Sequence, residues 1–421
     1  MITRVSPIPA PASAASGVET WFRPSAAVAF LAGALTSFTV AVGGEMPLGE
    51  VVLALTAGWV VLCLAVHQAA PGPLLSQRFF RVLMAAQTVA LGGYVFSDLY
   101  RHSHPHDMAR GWSRMIFLAI DVLAVAYLLG RSPRNFVAFV LGQCAGDLAF
   151  TALFGPLFGD LWKFGIGAPL TFLVFLLAPL AGPGWATAAA AGLGVLHLAL
   201  GYRSLGGLCL VAAALGALQL TTRRSRPWLA PVGLLAVAGV IGWIYVHSQS
   251  DTGRRATRSD IERSAMMTAA VDAIERSPLI GQGSWFSNSD VYDHFLLIRQ
   301  SLAREAHIGG FPEPGEDAET TALHSQILVA LAEGGLLGGA FFLVYGAGLL
   351  RALLRAAFVD RWHRLTPVST LVLLSALWNL CFSPFSGAHR VYIALACGLM
   401  LLLQADRLAP AAGEVIVDAA A

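Results

Sequence analysis

Apolar residues run along most of this chain in long unbroken stretches. They neither alternate nor keep to one helical face. Twelve stretches approach the roughly 20 residues that carry an α-helix across a bilayer. They cover 25–43, 50–68, 81–97, 115–130, 135–154, 165–182, 184–202, 204–220, 227–247, 326–350, 366–382 and 388–405. A membrane β-barrel would show alternating segments of about ten residues, whereas these runs are continuous and rich in Leu and Ala. Backbone groups in lipid need internal partners, so the pattern predicts an all-α fold, a polytopic bundle of about twelve transmembrane helices. One long polar stretch, 248–325, breaks the sequence of spans. The expected organisation is an N-terminal cytoplasmic tail (1–24), nine spans (25–247), a large, partly helical extracytoplasmic loop (248–325), three further spans (326–405) and a cytoplasmic tail (406–421).

Composition agrees with this pattern. Of 421 residues, 56% are hydrophobic and 12% charged, about half the charge of an average soluble domain. So little charge cannot cover a water-soluble globule, which excludes a cytosolic enzyme, a secreted domain and a disordered chain. The net charge of +2 exerts no strong pull on nucleic acid. Cys63, Cys144, Cys209, Cys381 and Cys397 each lie in an apolar run without metal-ligand spacing, and read as small buried hydrophobes. The first apolar run is followed directly by more, so the N-terminus does not read as a cleavable signal.

Arginine placement sets the orientation. With both termini inside, the inner hairpins hold 11 positive residues, opposed only by Asp360, and the short outer loops hold six. The long loop then lies outside the cytoplasm. Between Asp251 and Glu319 it carries seven arginines and twelve acids. It is the one part large enough to build a site in water, and loops of this length are usually functional.

Within the loop, Ser259-Asp-Ile-Glu262 fits a capping box. It predicts a helix from Ser259 to about Glu275, ended by Arg276-Ser277-Pro278. Met267, Ala270, Val271 and Ile274 would form its apolar face, with Arg263 on the same face and directed toward the membrane body. Arg263 reads either as a functional arginine or as one snorkelling at the interface. Pro278-Leu-Ile-Gly281-Gln-Gly283 is a turn whose glycines allow either a close ligand approach or simply a tight bend. His324 stands where the loop meets the next span, followed by Ser325, Glu333, Gly335 and Gly338. A histidine at such a mouth can take a proton from a hydroxyl; it can equally be an interfacial side chain satisfied by water.

These residues resemble the O-antigen ligase and polymerase family, polytopic glycosyltransferases of the GT-C type. His324-Ser325-x-x-Leu328, with Glu333, Gly335 and Gly338, is similar to the family's His-Asn-x-x-Leu motif and its following Glu and Gly. Ser325 stands where the motif has Asn. Arg263 with Met267, then Pro278-Leu-Ile-Gly281-Gln-Gly283, resembles the family's Arg-x-x-x-Trp and Pro-Leu-x-Gly-x-Gly, with Met267 in place of Trp. The resemblance implies a glycan donor on polyprenyl diphosphate and an acceptor such as lipid A–core or another glycan. It also implies no metal and no cofactor. Arg263 and an arginine at the outer end of an earlier helix would hold the diphosphate. Topology selects Arg203 for the second role over the inner Arg223, Arg224 and Arg226. His324 would be the general base. Gly281, Gly283, Ser325, Glu333 and, in the outer turn 383–390, Arg390 are expected as substrate-binding residues. Among transferases, an O-antigen ligase is favoured over a repeat-unit polymerase or a protein O-oligosaccharyltransferase.

Three motifs leave other readings open. Arg101-His102-Ser-His104-Pro-His106-Asp107 could bind Zn or Ni, could touch acceptor or phosphate, or could be an extended, solvated loop. Asp121 and Asp147 lie inside spans, where charge is expensive. They read either as interhelical hydrogen-bonding groups or as the proton path of a secondary transporter. A metal or pH sensor built on the histidine loop would leave the motifs at 263–338 unexplained.

Overall fold

The computed structural model of the protein describes residues 24–41, 45–67, 72–156, 159–222, 254–284, 289–306, 325–358 and 362–405. The span expected at 227–247, both tails and His324 lie outside these residues. The helices follow the apolar runs. They are α1 (Pro24–Ala34), α2 (Leu48–His67), α3 (Arg78–Arg101), α4 (Pro105–Arg131), α5 (Arg134–Phe154), α6 (Gly167–Leu177), α7 (Pro183–Ala199) and α8 (Arg203–Thr222). The loop contributes α9 (Arg254–Arg276) and α10 (Ser289–Glu305). After it come α11 (Gln326–Gly338), α12 (Ala340–Phe358), α13 (Thr366–Phe382) and α14 (Gly387–Gln404). Among the described residues, eight helical segments are long and apolar enough to cross a membrane, and three shorter apolar helices join them. The one sheet among those residues is a small antiparallel pair, Thr39–Ala41 with Glu45–Pro47. The protein is an all-α polytopic membrane protein.

Two expected spans differ in shape. The first ends with a 3-10 turn at Ser37, where β-branched Thr39 and Val40 turn the chain into a strand. The run at 326–350 is not one straight helix: inside α11 Gly335 leaves helical geometry at φ 64, ψ −160, and α12 follows after Gly339. In the loop, α9 starts at Arg254, so Ser259 lies inside the helix rather than capping it. Arg254, Arg255 and Ala256 are good helix formers, and no breaker stands between them and Ser259.

Helix α14 is the most deeply buried of the candidate spans and buries an unbroken run from Arg390 to Leu402. It lies along α4, which in turn packs on α2. Helices α1 and α5 cross through glycines. A Cβ on Gly142 would sit 2.0 Å from Phe30 O, and one on Gly146 2.1 Å from Ala34 O. This is the small-residue contact that lets membrane helices approach closely. Of the cysteines, Cys144, Cys209 and Cys397 are buried, and all five are free.

The end of α3 touches the loop directly, as shown below. Counting alternate helices from that contact puts the start of α4, the end of α5, the end of α7 and the start of α8 at the loop side.

Candidate active site

The break in the helix after the loop is the framework of the site. At Gly335 the helical ladder is interrupted, and the freed backbone groups must find other partners, since unpaired ones are costly inside a membrane protein. The Pro278–Gly283 turn supplies them. Gln282 N donates to Ala332 O at 2.8 Å, Gly283 N to Glu333 O at 3.0 Å, and Leu336 N to Pro278 O at 2.9 Å. Contact is so close that a Cβ on Gly335 would lie 2.2 Å from Leu279 O, and one on Gly281 2.3 Å from Glu333 O. Gly281 and Gly283 have φ of +86 and +87, conformations that suit glycine. The two motifs separated by fifty residues are therefore each other's hydrogen-bonding partners. Gln282 adds a further tie, donating from Nε2 to Ala273 O near the end of α9.

The loop-side end of α3 completes this joint. Ser97 Oγ donates to Glu333 O at 2.7 Å and accepts from Gly283 N at 3.0 Å. Asp98 is fully buried. Its carboxylate accepts from Ser284 N (2.6 Å), Ser284 Oγ (2.7 Å) and Trp112 Nε1 (2.7 Å). Arg101 Nε donates to Gly281 O at 3.0 Å. The Glu333 carboxylate meets Arg114 of α4 at 2.5 Å, with both side chains buried. Arg114 also stacks on Phe385 in the turn before α14, 5.6 Å from the ring centroid. Asp98 and Arg114 are not among the residues to which the sequence motifs point. Their signal was available, because ionisable groups at the ends of spans tend to face the bundle and seek partners.

Ser325 caps α11. Its Oγ accepts from Leu328 N at 3.3 Å and donates to Leu380 O at 3.4 Å. Serine caps a helix as well as asparagine does, so the departure from the family motif leaves the start of this helix intact. His324 immediately precedes this cap.

On α9 the buried face is Ala265, Met266, Ala269, Ala270 and Ala273. Met267 and Val271, expected in the apolar contact, are instead exposed, and Arg263 is exposed with them. The small alanines decide this, since they let α9 lie close to α10 and α11. The stripe Arg263–Met267–Val271 stays intact at i, i+4, i+8, turned away from the protein's interior. An arginine sharing a face with uncovered apolar residues suits a membrane–water boundary.

Arg203 opens α8 at the loop side, at the corner after α7. The corner is held by a buried knot. His197 Nδ1 accepts from Trp162 Nε1 at 3.0 Å, and Nε2 meets Thr171 Oγ1 at 2.7 Å. Thr171 Oγ1 donates to Gly167 O, so it accepts from His197 Nε2, and the ring is the neutral Nε2–H tautomer. His197 O accepts from Tyr202 N at 2.8 Å. This fixes the residue that leads into Arg203.

The remaining expected contacts have protein partners. Arg390 makes a two-pronged pair with Glu50, Nε to Oε1 and Nη2 to Oε2, each at 2.8 Å. Gly281, Gly283 and Glu333 serve the joint described above, and Ser325 caps α11. The 101–107 segment is a tight corner rather than an extended loop. His102 ends α3 in a left-handed conformation, and His104 caps α4 by accepting from His106 N. Among the described residues, no three His, Cys, Asp or Glu side chains are grouped to hold a metal ion.

The fold and this joint define a multi-pass membrane protein whose polar loop is hydrogen-bonded into the end of its helix bundle. Residues 171–343, from within α6 to the start of α12, match the family model described as O-Antigen ligase. That segment, which contains Arg203, Arg263, His324 and Glu333, is similar to the O-antigen ligase family. No curated protein matches the chain. The family implies an enzyme that joins a glycan donor to an acceptor in a membrane.

Proposed function

We propose that the protein transfers a glycan from polyprenyl diphosphate to an acceptor at the periplasmic face of the bacterial inner membrane, as an O-antigen ligase acting on lipid A–core. The observation that carries this reading is the joint between the 278–284 turn and the broken helix at Gly335. It fastens the loop helix bearing Arg263 to the helix whose start is preceded by His324. With this joint in place, the motif residues work on one rigid frame, as transfer chemistry requires.

In the proposed reaction the acceptor hydroxyl attacks the anomeric carbon of the donor sugar. The new C–O bond forms as the sugar–phosphate bond breaks, and the diphosphate leaves with the bonding electrons. His324 takes the hydroxyl proton, a contribution typically of about 10²–10⁴-fold. Arg203 and Arg263 hold the diphosphate and offset the charge that grows on it, a task suited to a permanently charged guanidinium fork. A single displacement inverts the anomeric centre, and no metal is needed. Gly281, Gly283, Ser325, Glu333 and Arg390 shape the site by holding the backbone and helices that surround the substrate.

The test uses the protein in lipid nanodiscs with a defined polyprenyl-diphosphate oligosaccharide and separated lipid A–core. Products are read by size, with His324→Ala as control. One product that needs the core acceptor supports the ligase. A ladder that grows without core makes the protein a polymerase. Equal activity of His324→Ala removes the histidine from the mechanism.

A further inference from the structure

A second ionisable cluster lies apart from the joint, inside the bundle, where α2, α4 and α14 meet. Glu50 is fully buried on α2 and pairs in two-pronged fashion with Arg390 of α14. Asp121 of α4 is also fully buried, and neither of its oxygens receives a hydrogen bond. Its carboxyl lies against that of Glu50 and within electrostatic reach of Arg390. The surroundings are apolar. Leu118, Val122 and Val125 on α4 are buried, and the Phe117 ring lies under the Arg390 guanidinium at 5.9 Å. Of the acids on elements packed against these helices, Glu45 is exposed and two others are engaged elsewhere. Asp98 on α3 serves Ser284 and Trp112, and Asp147 on α5 accepts from Ser37. Helix α1 carries no charged residue.

The charge count is unbalanced if every group is ionised. Two carboxylates and one guanidinium leave one negative charge in an apolar interior, which is strongly disfavoured. Two carboxylates also cannot hydrogen-bond each other, since neither has a donor. One proton resolves both problems. It neutralises the cluster and turns one carboxyl into a donor toward the other, as in any close carboxyl pair that cannot ionise twice.

We infer that Glu50 and Asp121 form a membrane-buried proton-binding site, holding one proton between their carboxyls, with Glu50 ionised toward Arg390 and Asp121 donating to Glu50. The step is plain protonation of one carboxylate, with no other bond made or broken. The site clamps α2, α4 and α14 together, and α14 begins at the turn against which Arg114 stacks. It does not depend on what the protein transfers.

Infrared spectroscopy of the whole protein in nanodiscs at neutral pH tests this. The expected spectrum has a protonated-carboxyl C=O band that shifts in D₂O and disappears in Asp121→Asn. It disappears in Glu50→Gln as well, because Asp121 then becomes the sole counter-charge of Arg390 and ionises. Asp121→Asn should unfold at a temperature close to wild type, since its amide can donate where the acid did. Glu50→Gln should unfold at a clearly lower temperature. A wild-type carboxyl band unchanged in both variants overturns the inference. So does stabilisation by Na⁺ over K⁺ at equal ionic strength that Asp121→Asn abolishes, which would make the occupant a metal cation.

Discussion

Gly335 combines φ 64 with ψ −160, a conformation essentially restricted to glycine. Gly335→Ala should cost the ~1–3 kcal/mol of such backbone strain, plus the collision with Leu279 O. The expected result is a lower unfolding temperature in nanodiscs and faster proteolysis of the 254–284 segment. An unchanged unfolding temperature would mean that the turn does not hold the break. The Arg114–Glu333 pair gives a second residue-level prediction. Removing one partner of a buried ion pair strands a charge, at about 3–5 kcal/mol. Arg114→Met should therefore destabilise strongly, and Arg114→Met/Glu333→Leu should recover much of the loss. Equal unfolding of single and double variants would deny the coupling. Neither position touches substrate in the proposed reaction, so both act on activity by positioning.

Helix α9 has two faces with separate duties. The alanine face packs on α10 and α11, while Arg263, Met267 and Val271 are uncovered. Arg263→Ala should leave stability within about 0.5 kcal/mol, as exposed substitutions usually do, yet lower glycan transfer. Ala269→Leu should instead overpack the contact at about 1–3 kcal/mol and loosen the loop from the bundle. Paired unfolding and transfer assays separate the two effects. If Arg263→Ala transfers normally, the arginine is only an interfacial side chain. The helix also illustrates where periodicity misleads. The i, i+3, i+4 pattern found Met267, Ala270, Val271 and Ile274, but of these Met267 and Val271 are exposed, while Ile261 and Met266 are buried beside the alanines. Close helix packing centred the contact on a run of alanines, Ala265, Ala269, Ala270 and Ala273, a preference that no count of apolar positions reveals.

For the whole molecule, orientation is the testable property. In a cysteine-free background, Arg276→Cys on the loop should react with an impermeant maleimide in cells with a permeabilised outer membrane. Arg131→Cys, at the opposite end of α4, should react only after lysis. The reverse result would turn the protein over and put the loop in the cytoplasm. The sequence alone determined the all-helical membrane class, because runs of about 20 apolar residues have few other stable solutions. It also marked the loop and its Arg263, His324 and glycine motifs, since those residue types are conspicuous in so apolar a chain. Only the tertiary structure decided what the motifs touch. That Gly281 and Gly283 fit against the broken helix, that Glu333 faces Arg114, that Asp98 binds Ser284 and that Arg390 is engaged by Glu50 all depend on contacts between residues far apart in the chain. Such contacts are set by which helix ends meet and by where small residues let backbones approach, and neither is written in the local order of residues.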